Sequence, residues 1–286
     1  MTTAHQTAGT TGATALISAV VLTLNEAAHI EPCLRTLRWA GEVLVVDCGS
    51  TDGTPELARA QGARVLHRAW QGWASQRNFA LGEITRPWVF FVDADERVPA
   101  ELAREIEAAV AEAERAGTPA GFWVPRQNLI LGTWMRYAGW SPDYQLRLFR
   151  RDRGRYDPMR PVHELVLLDG AGGYLENRLV HHNYHSWRQL WAKQCRYARE
   201  EAAAMHAQAV RVKPQNFVLQ PLREFRRRYW TLEGYRAGRL GLALCTLLAV
   251  ANFMTYVHLW QLNRRAPAGR PAPPATPHGW PGERQP

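Results

Sequence analysis

Asp93-Ala94-Asp95-Glu96 stands directly behind the apolar run WVFFV (88–92), so two carboxylates one residue apart close a segment that reads as a strand. Carboxylates presented in this way suit a divalent cation that takes its remaining ligands from water and phosphate oxygens. The bland alternative is an acidic turn that simply ends the strand. A second polar cluster, Asp47-Cys48-Gly49-Ser50-Thr51-Asp52-Gly53-Thr54, closes the run EVLVVD, and a third, Asn25-Glu26, closes LISAVVLTL. The middle cluster is either a glycine-bearing turn whose Asp52 or Thr54 caps the next helix, or part of a nucleotide pocket. No G-x-G-x-x-G follows either strand and no G-x-x-x-x-G-K-[ST] occurs, so a dinucleotide oxidoreductase and a P-loop NTPase lose their main support. His163-Glu164 is not a zinc-protease signature, because Leu167 stands where the second histidine is required.

The elements that must position these clusters are legible around them. Apolar strands at 16–24, 42–47, 64–66 and 88–92 alternate with helical stretches at 27–39, 55–61, 76–81 and 99–115. Continuous apolar strands alternating with helices predict an α/β fold, a mostly parallel sheet covered on both faces. Ligands of such sheets sit at the carboxyl ends of the strands, where all three clusters fall. From 121 to 182 the pattern is irregular, with short strands expected at 122–125, 145–149 and 164–168. A helix is expected over 186–209, followed by a basic, aromatic stretch (223–239), an uncharged apolar stretch (240–263) and a tail at 266–286 with seven prolines. The expected division is a disordered leader (1–15), a catalytic domain (16–185), a helical membrane-associating region (186–265) and a disordered tail.

Thirty-five Lys and Arg against 26 Asp and Glu give the 286 residues a formal charge of +9, which favours anionic partners. Four scattered cysteines without a C-x-x-C pair speak against a disulfide framework or a zinc ribbon and for a reducing compartment.

In order and spacing, V-L-T-L-N-E-A, V-V-D-C-G-S-T-D-G-T, Q-R-N-F-A-L and F-V-D-A-D-E resemble family 2 glycosyltransferases of GT-A fold. P-D-Y-Q-L-R-L-F-R-R, V-H-E and the Trp/Arg-rich end resemble its WaaE-type branch, lipopolysaccharide core β-1,4-glucosyltransferases and close relatives. The likeness runs from about residue 17 to 265. It implies an inverting, metal-dependent transfer of a hexose, most plausibly glucose, from a nucleoside diphosphate sugar such as UDP-glucose to a lipid-linked glycan. Thr23, Asn25, Glu26 and Asp52 would line the nucleoside pocket, with Asp93 near the ribose or the metal and Arg77 reaching the diphosphate. Cys48 departs from the family, many members of which carry a second acidic residue there. Asp95 would bind Mg²⁺ or Mn²⁺, joined by His182 from the His181–His185 cluster. The base that takes the acceptor proton would be Glu164, with Asp143 as its competitor. Trp140 and Arg147 are the expected acceptor contacts, Arg147 with Arg150 and Arg151 suiting a phosphorylated acceptor.

Residues 240–263 are long enough to cross a bilayer, which takes about 20 residues. Scattered polar residues and arginines on both sides instead favour a helix lying on an anionic membrane surface, at the cytoplasmic face. Basic residues concentrated beside this apolar stretch make lipid, not nucleic acid, the expected partner. Rival readings are the same chemistry in capsule or exopolysaccharide synthesis, and a catalytically silent membrane adaptor that keeps the fold.

Overall fold

The computed structural model describes residues 12–157 and 165–265, in two compact units. Of the described residues, those up to Trp134 together with Ser141–Asn183 form the first unit. Met135–Trp140 and the chain from Tyr184 onward form the second. Glu164 and the proline-rich stretch 266–286 lie outside the described residues.

The first unit begins with β1 (Ile17–Thr23), α1 (Ala27–Arg35), β2 (Glu42–Asp47), α2 (Thr54–Ala60), β3 (Arg64–His67), α3 (Trp73–Glu83) and β4 (Trp88–Asp93). It continues through β5 (Glu96–Arg97), α4 (Ala100–Ala116), β6 (Gly121–Ile130), β7 (Thr133–Trp134) and β8 (Tyr144–Arg150). Strands β9 (Gly154–Tyr156), β10 (Val166–Leu168), β11 (Gly172–Tyr174) and β12 (Leu179–Tyr184) complete it. Strands β3, β2, β1 and β4 lie side by side and parallel, with Val20 opposite both Leu44 and Phe91. Successive strand residues face opposite ways. Ala19, Val21, Phe90 and Val92 therefore enter one core with Ile30 and Leu34 of α1 and Leu102 and Ile106 of α4. Val20, Val89 and Phe91 enter another with Ala80 and Leu81 of α3. Burial on both faces is why these strands read as unbroken apolar runs.

Beyond β4 the sheet reverses direction. Strand β8 runs antiparallel to β4, and β6 antiparallel to β8, before β12 and β5 complete the row. The parallel order expected from the sequence thus holds for the first four strands. The antiparallel continuation brings the start of β8 to the end of β4. At the other end of β1, Thr14–Leu16 forms a 3₁₀ turn, and the buried Thr14 accepts the Gly41 N–H at 2.9 Å. Thr14 and Ala15, assigned by sequence to a leader, therefore belong to the fold.

The second unit contains α5 (Trp187–Ala207), α6 (Asn216–Arg226), a π-type turn (Arg227–Thr231), a 3₁₀ turn (Gly234–Ala237) and α7 (Gly238–Arg265). Ser186 caps α5, its hydroxyl accepting the Gln189 N–H at 3.1 Å. Helix α6 falls within the helical region expected at 186–265, which gave it no limits of its own, and it carries Pro221 in its interior.

Backbone crowding makes one glycine a sharp test of this packing. A Cβ at Gly41 would fall 2.7 Å from the Ala15 carbonyl oxygen and 2.8 Å from its Cα. Neither can rotate away as a side chain would. Gly41→Ala is expected to cost about 1–3 kcal/mol, read as a lower urea midpoint at unchanged slope.

Candidate active site

Two loops at the carboxyl ends of β1 and β2 are laced into one surface. The chain leaves β1 through Asn25, whose φ of 57° is a left-handed conformation that asparagine tolerates better than most residues. Turned this way, Asn25 donates its N–H to Ser50 Oγ at 2.8 Å and accepts the Thr51 N–H on Oδ1 at 2.9 Å. Glu26 N–H donates to Thr54 Oγ1 and Ala27 N–H to Asp52 Oδ2, each at 2.9 Å. Asp52 Oδ1 also accepts the Thr54 hydroxyl at 2.5 Å and N–H at 3.1 Å. One carboxylate thus serves the first residues of α1 and α2 together, and the Thr54 hydroxyl leads the donors that hold it below its ordinary range.

Beneath this rim lies Asp47, almost fully buried. It accepts the hydroxyls of Ser50 at 2.5 Å and Thr23 at 3.1 Å, and the N–H groups of Gly49 at 3.0 Å and Ser50 at 2.9 Å. Burial alone would raise its pKa, but the donors led by Ser50 outweigh burial and hold it below the usual carboxylate range. This corrects one expected role. Thr23 is buried with its hydroxyl committed to Asp47, so it builds the floor beneath the pocket rather than lining it. Cys48, next in the chain, is also buried and receives the Gln76 amide N–H at 3.2 Å on its sulfur.

The turn between β4 and β5 is fixed by buried charge. Asp93 receives both terminal nitrogens of Arg147, at 2.6 and 3.2 Å, and its N–H donates to Glu96 Oε2 at 2.8 Å. Arg77 Nη2 lies 3.6 Å from the same carboxylate, its guanidinium 5.2 Å from the Tyr156 ring centre. Glu96 is fully buried, with Arg147 at 3.5 Å and Arg126 at 3.7 Å. Burial opposes ionisation of both acids. At Asp93 the Arg147 and Arg77 guanidiniums overcome it and hold the carboxyl far below its ordinary value. At Glu96 burial prevails and pushes the carboxyl up. Arg147 itself is nearly inaccessible to water. The expectation that it meets the acceptor is therefore corrected: its charge is consumed inside the fold, where it holds Asp93.

Asp95, by contrast, has a partly exposed side chain, and the histidine beside its carboxylate is His181, with Nε2 3.4 Å from Oδ2. His182, expected in that place, instead donates its backbone N–H to the Asp95 carbonyl at 2.9 Å. The two histidines are neighbours on β12 and face opposite sides of it.

The hydrogen bonds behind His181 orient its ring. Asp143 is an ionised acceptor, kept below the usual carboxylate range because Arg126 and its hydrogen-bond donors outweigh its burial. It takes Arg126 Nε at 2.9 Å, Arg126 Nη2 at 2.8 Å, Asn128 Nδ2 at 2.8 Å and Gln145 Nε2 at 2.9 Å. Asn128 must therefore turn its oxygen toward His181, and Oδ1 stands 2.7 Å from Nδ1. A neutral His181 carries its proton on Nδ1 and presents the Nε2 lone pair toward Asp95. Facing Oδ2 at 3.4 Å, that nitrogen can share either a proton or a metal cation with the Asp95 carboxylate. Among the described residues no three His, Cys, Asp or Glu side chains gather to hold a metal unaided. Asp95 and His181 are the two side chains here that could join phosphate and water in the sphere of a cation. Trp140 belongs to the second unit, edge-on to Tyr184 with ring centres 5.9 Å apart.

Residues 18–163, which hold all three polar clusters, match the model of glycosyl transferase family 2. The chain belongs to that family. Over 266 residues this glycosyltransferase is 29% identical to the lipopolysaccharide core biosynthesis glycosyltransferase LpsC of Rhizobium meliloti, covering 89% of this chain and 95% of LpsC. An uncharacterized glycosyltransferase of Rickettsia bellii is 42% identical over 92 residues, 32% of this chain and 31% of that one. Among solved structures, glucosyl-3-phosphoglycerate synthase of Mycobacterium tuberculosis with Mn²⁺, UDP and glucosyl-3-phosphoglycerate superposes with a TM-score of 0.38. That match is 21% identical and covers 61% of this chain and 74% of the other. The α/β architecture of this glycosyltransferase is the class that its alternating strands and helices implied.

Sequence reasoning gave no role to Asn128 or Arg126, named Asp47 only as part of its cluster, and chose His182 over His181 within the His181–His185 cluster. Strand parity would have found His181: Leu179, His181 and Asn183 share the buried side of β12, whereas His182 alternates away.

Asp47 offers a pH test. Its pKa is lower folded than unfolded, so its contribution is present above the unfolded value of about 4 and fades as pH falls through the folded one. Asp47→Asn is expected to cost about 1–3 kcal/mol near neutrality. The gap to the wild type should shrink in denaturant titrations as the pH is taken below 4.

Proposed function

We propose that the glycosyltransferase is an inverting, metal-dependent hexosyltransferase. In this reading it moves glucose from UDP-glucose to a lipid-linked glycan of the lipopolysaccharide inner-core type, at the cytoplasmic face of the membrane. The observation that carries it is the chain Asp143–Asn128–His181–Asp95, which aims His181 Nε2 and a carboxylate at one another two residues from Asp93, itself held by Arg77 and Arg147. Similarity to LpsC along nearly the whole of both chains supports the class of acceptor.

Asp95 and His181 would hold Mg²⁺ or Mn²⁺, which when bound supplies Lewis acidity to the departing diphosphate. Arg77 adds positive charge on the same side, and Arg147 keeps Asp93 ionised and still. Asn25, Glu26 and Asp52 shape the nucleoside rim from the joined loops. Asp143 makes a poor base, because its oxygens already take Arg126, Asn128 and Gln145 and its affinity for a proton is lowered. The acceptor proton is therefore assigned to Glu164, the other carboxylate of the acceptor region.

Calorimetric titration with UDP-glucose, with and without Mn²⁺, tests the donor site. Binding should need the metal, and Asp95→Asn and His181→Ala should each weaken it about tenfold or more, about 1.4 kcal/mol, with His182→Ala close to wild type. A reversed histidine pattern, or no binding across UDP-, GDP- and dTDP-sugars, would sink the assignment. Glu164→Gln should leave donor affinity intact and lower turnover about 10²–10⁴-fold. Full turnover in that variant would return the role of base to Asp143.

A further inference from the structure

The second unit carries an apolar face that its own packing leaves uncovered. No residue of α6 is buried, and Val218, Leu219 and Leu222 are 66, 41 and 60% exposed. On α7, Leu242, Thr246, Val250 and Phe253 recur at three- to four-residue spacing along one exposed stripe, which Trp260 continues seven residues on. Between the two helices runs a groove of about 370 Å³, lined by Phe217, Leu222, Phe225, Val250 and Phe253 among others.

The opposite side of α7 is occupied. Leu244, Leu248 and Leu259 are buried there. Thr255 Oγ1 donates to Glu201 of α5 at 3.4 Å, and His206 of α5 meets Asn263 at 2.8 Å. Helix α5 carries Lys193, Arg196, Arg199, Glu200 and Glu201. A bilayer-crossing α7 would draw these charges into hydrocarbon, which is costly for each. The length of α7 permits a span, but the helix packed along it opposes one.

Charge surrounds the open face. Residues 216–265 hold eight arginines against two glutamates. Glu224 is paired with Arg227 and Arg228, and Glu233 with Arg236. Arg223, Arg226, Arg239, Arg264 and Arg265 are exposed, and the Arg264 guanidinium lies 4.1 Å over the Trp260 ring. Trp230, 61% exposed, adds an aromatic rim. Apolar side chains ringed by arginine and tryptophan match the boundary between acyl chains and anionic headgroups. A second copy of the chain would bring two arginine-rich faces together, which like-charge repulsion opposes.

We infer that α6 and α7 together form an in-plane docking face for an anionic bilayer, with the apolar stripe in the acyl boundary and the arginines on headgroups. This rests on the membrane-surface location proposed above and specifies its residues and mode. The test is co-sedimentation of the full chain with phosphatidylcholine vesicles, with or without phosphatidylglycerol. The anionic vesicles should be preferred about tenfold or more. Leu222→Glu with Phe253→Glu should lower that binding about tenfold or more, with circular dichroism and UDP-glucose affinity unchanged. Arg223→Glu with Arg226→Glu should remove most of the anionic preference alone.

Wild-type binding by both double variants would overturn the face while leaving the membrane location standing. Absence of binding by the wild type would overturn the location itself. A dimer in sedimentation that the Leu222/Phe253 variant dissociates would give the face to a second copy. Washing cell membranes with alkaline carbonate should release the protein, and its retention would overturn the in-plane mode.

Discussion

A guanidinium shut away from water has to be enclosed by carboxylates, and around Arg147 that requirement organises the site. Its two acceptors, Asp93 and Glu96, come from either end of a four-residue turn, and Arg126 approaches Glu96 from β6. A buried charge left without its partner is far more costly than the paired arrangement is favourable. The turn therefore has little freedom, and Asp95, between the two anchored acids, is delivered to His181 as a consequence. The Asp93 N–H bond to Glu96 closes the turn on itself.

The same logic of committed polar groups operates under the loops after β1 and β2. Asp47 is buried, and its donors come from both strand ends, so the two loops cannot move independently. Asn25 and Asp52 repeat the connection at the surface. Much of what reads in sequence as a ligand-binding cluster is thus scaffolding for the neighbouring loop. Polar residues at strand ends must first satisfy the backbone groups that the strands and helices leave unpaired.

How far the sequence reached can be judged element by element. Strand β2 was expected at 42–47 and found there, and the limits of β1, β4 and α4 fell within two residues. Those elements carry their own signal, because burial on both faces or along one stripe leaves a period in the chain. Strand β12 was not anticipated: its residues LVHHNY are half polar, and their period is masked by side chains buried for hydrogen bonding rather than for hydrophobicity. Helix α6 lay inside the helical region expected at 186–265, but its limits were not legible, with Pro221 interrupting its interior.

By itself the sequence determined the family, the α/β class, the three polar clusters and the turn that carries Asp93 and Asp95. Each is a local or ordered feature that survives without knowing what touches what. Only the tertiary structure set His181 rather than His182 beside the Asp95 carboxylate, enclosed Arg147 with Asp93 and Glu96, and committed Thr23 and Asp143 to the protein's own donors and acceptors. Those outcomes depend on strands far apart in the chain meeting in one register, where parity chooses which neighbour faces inward and burial dictates which charges must pair.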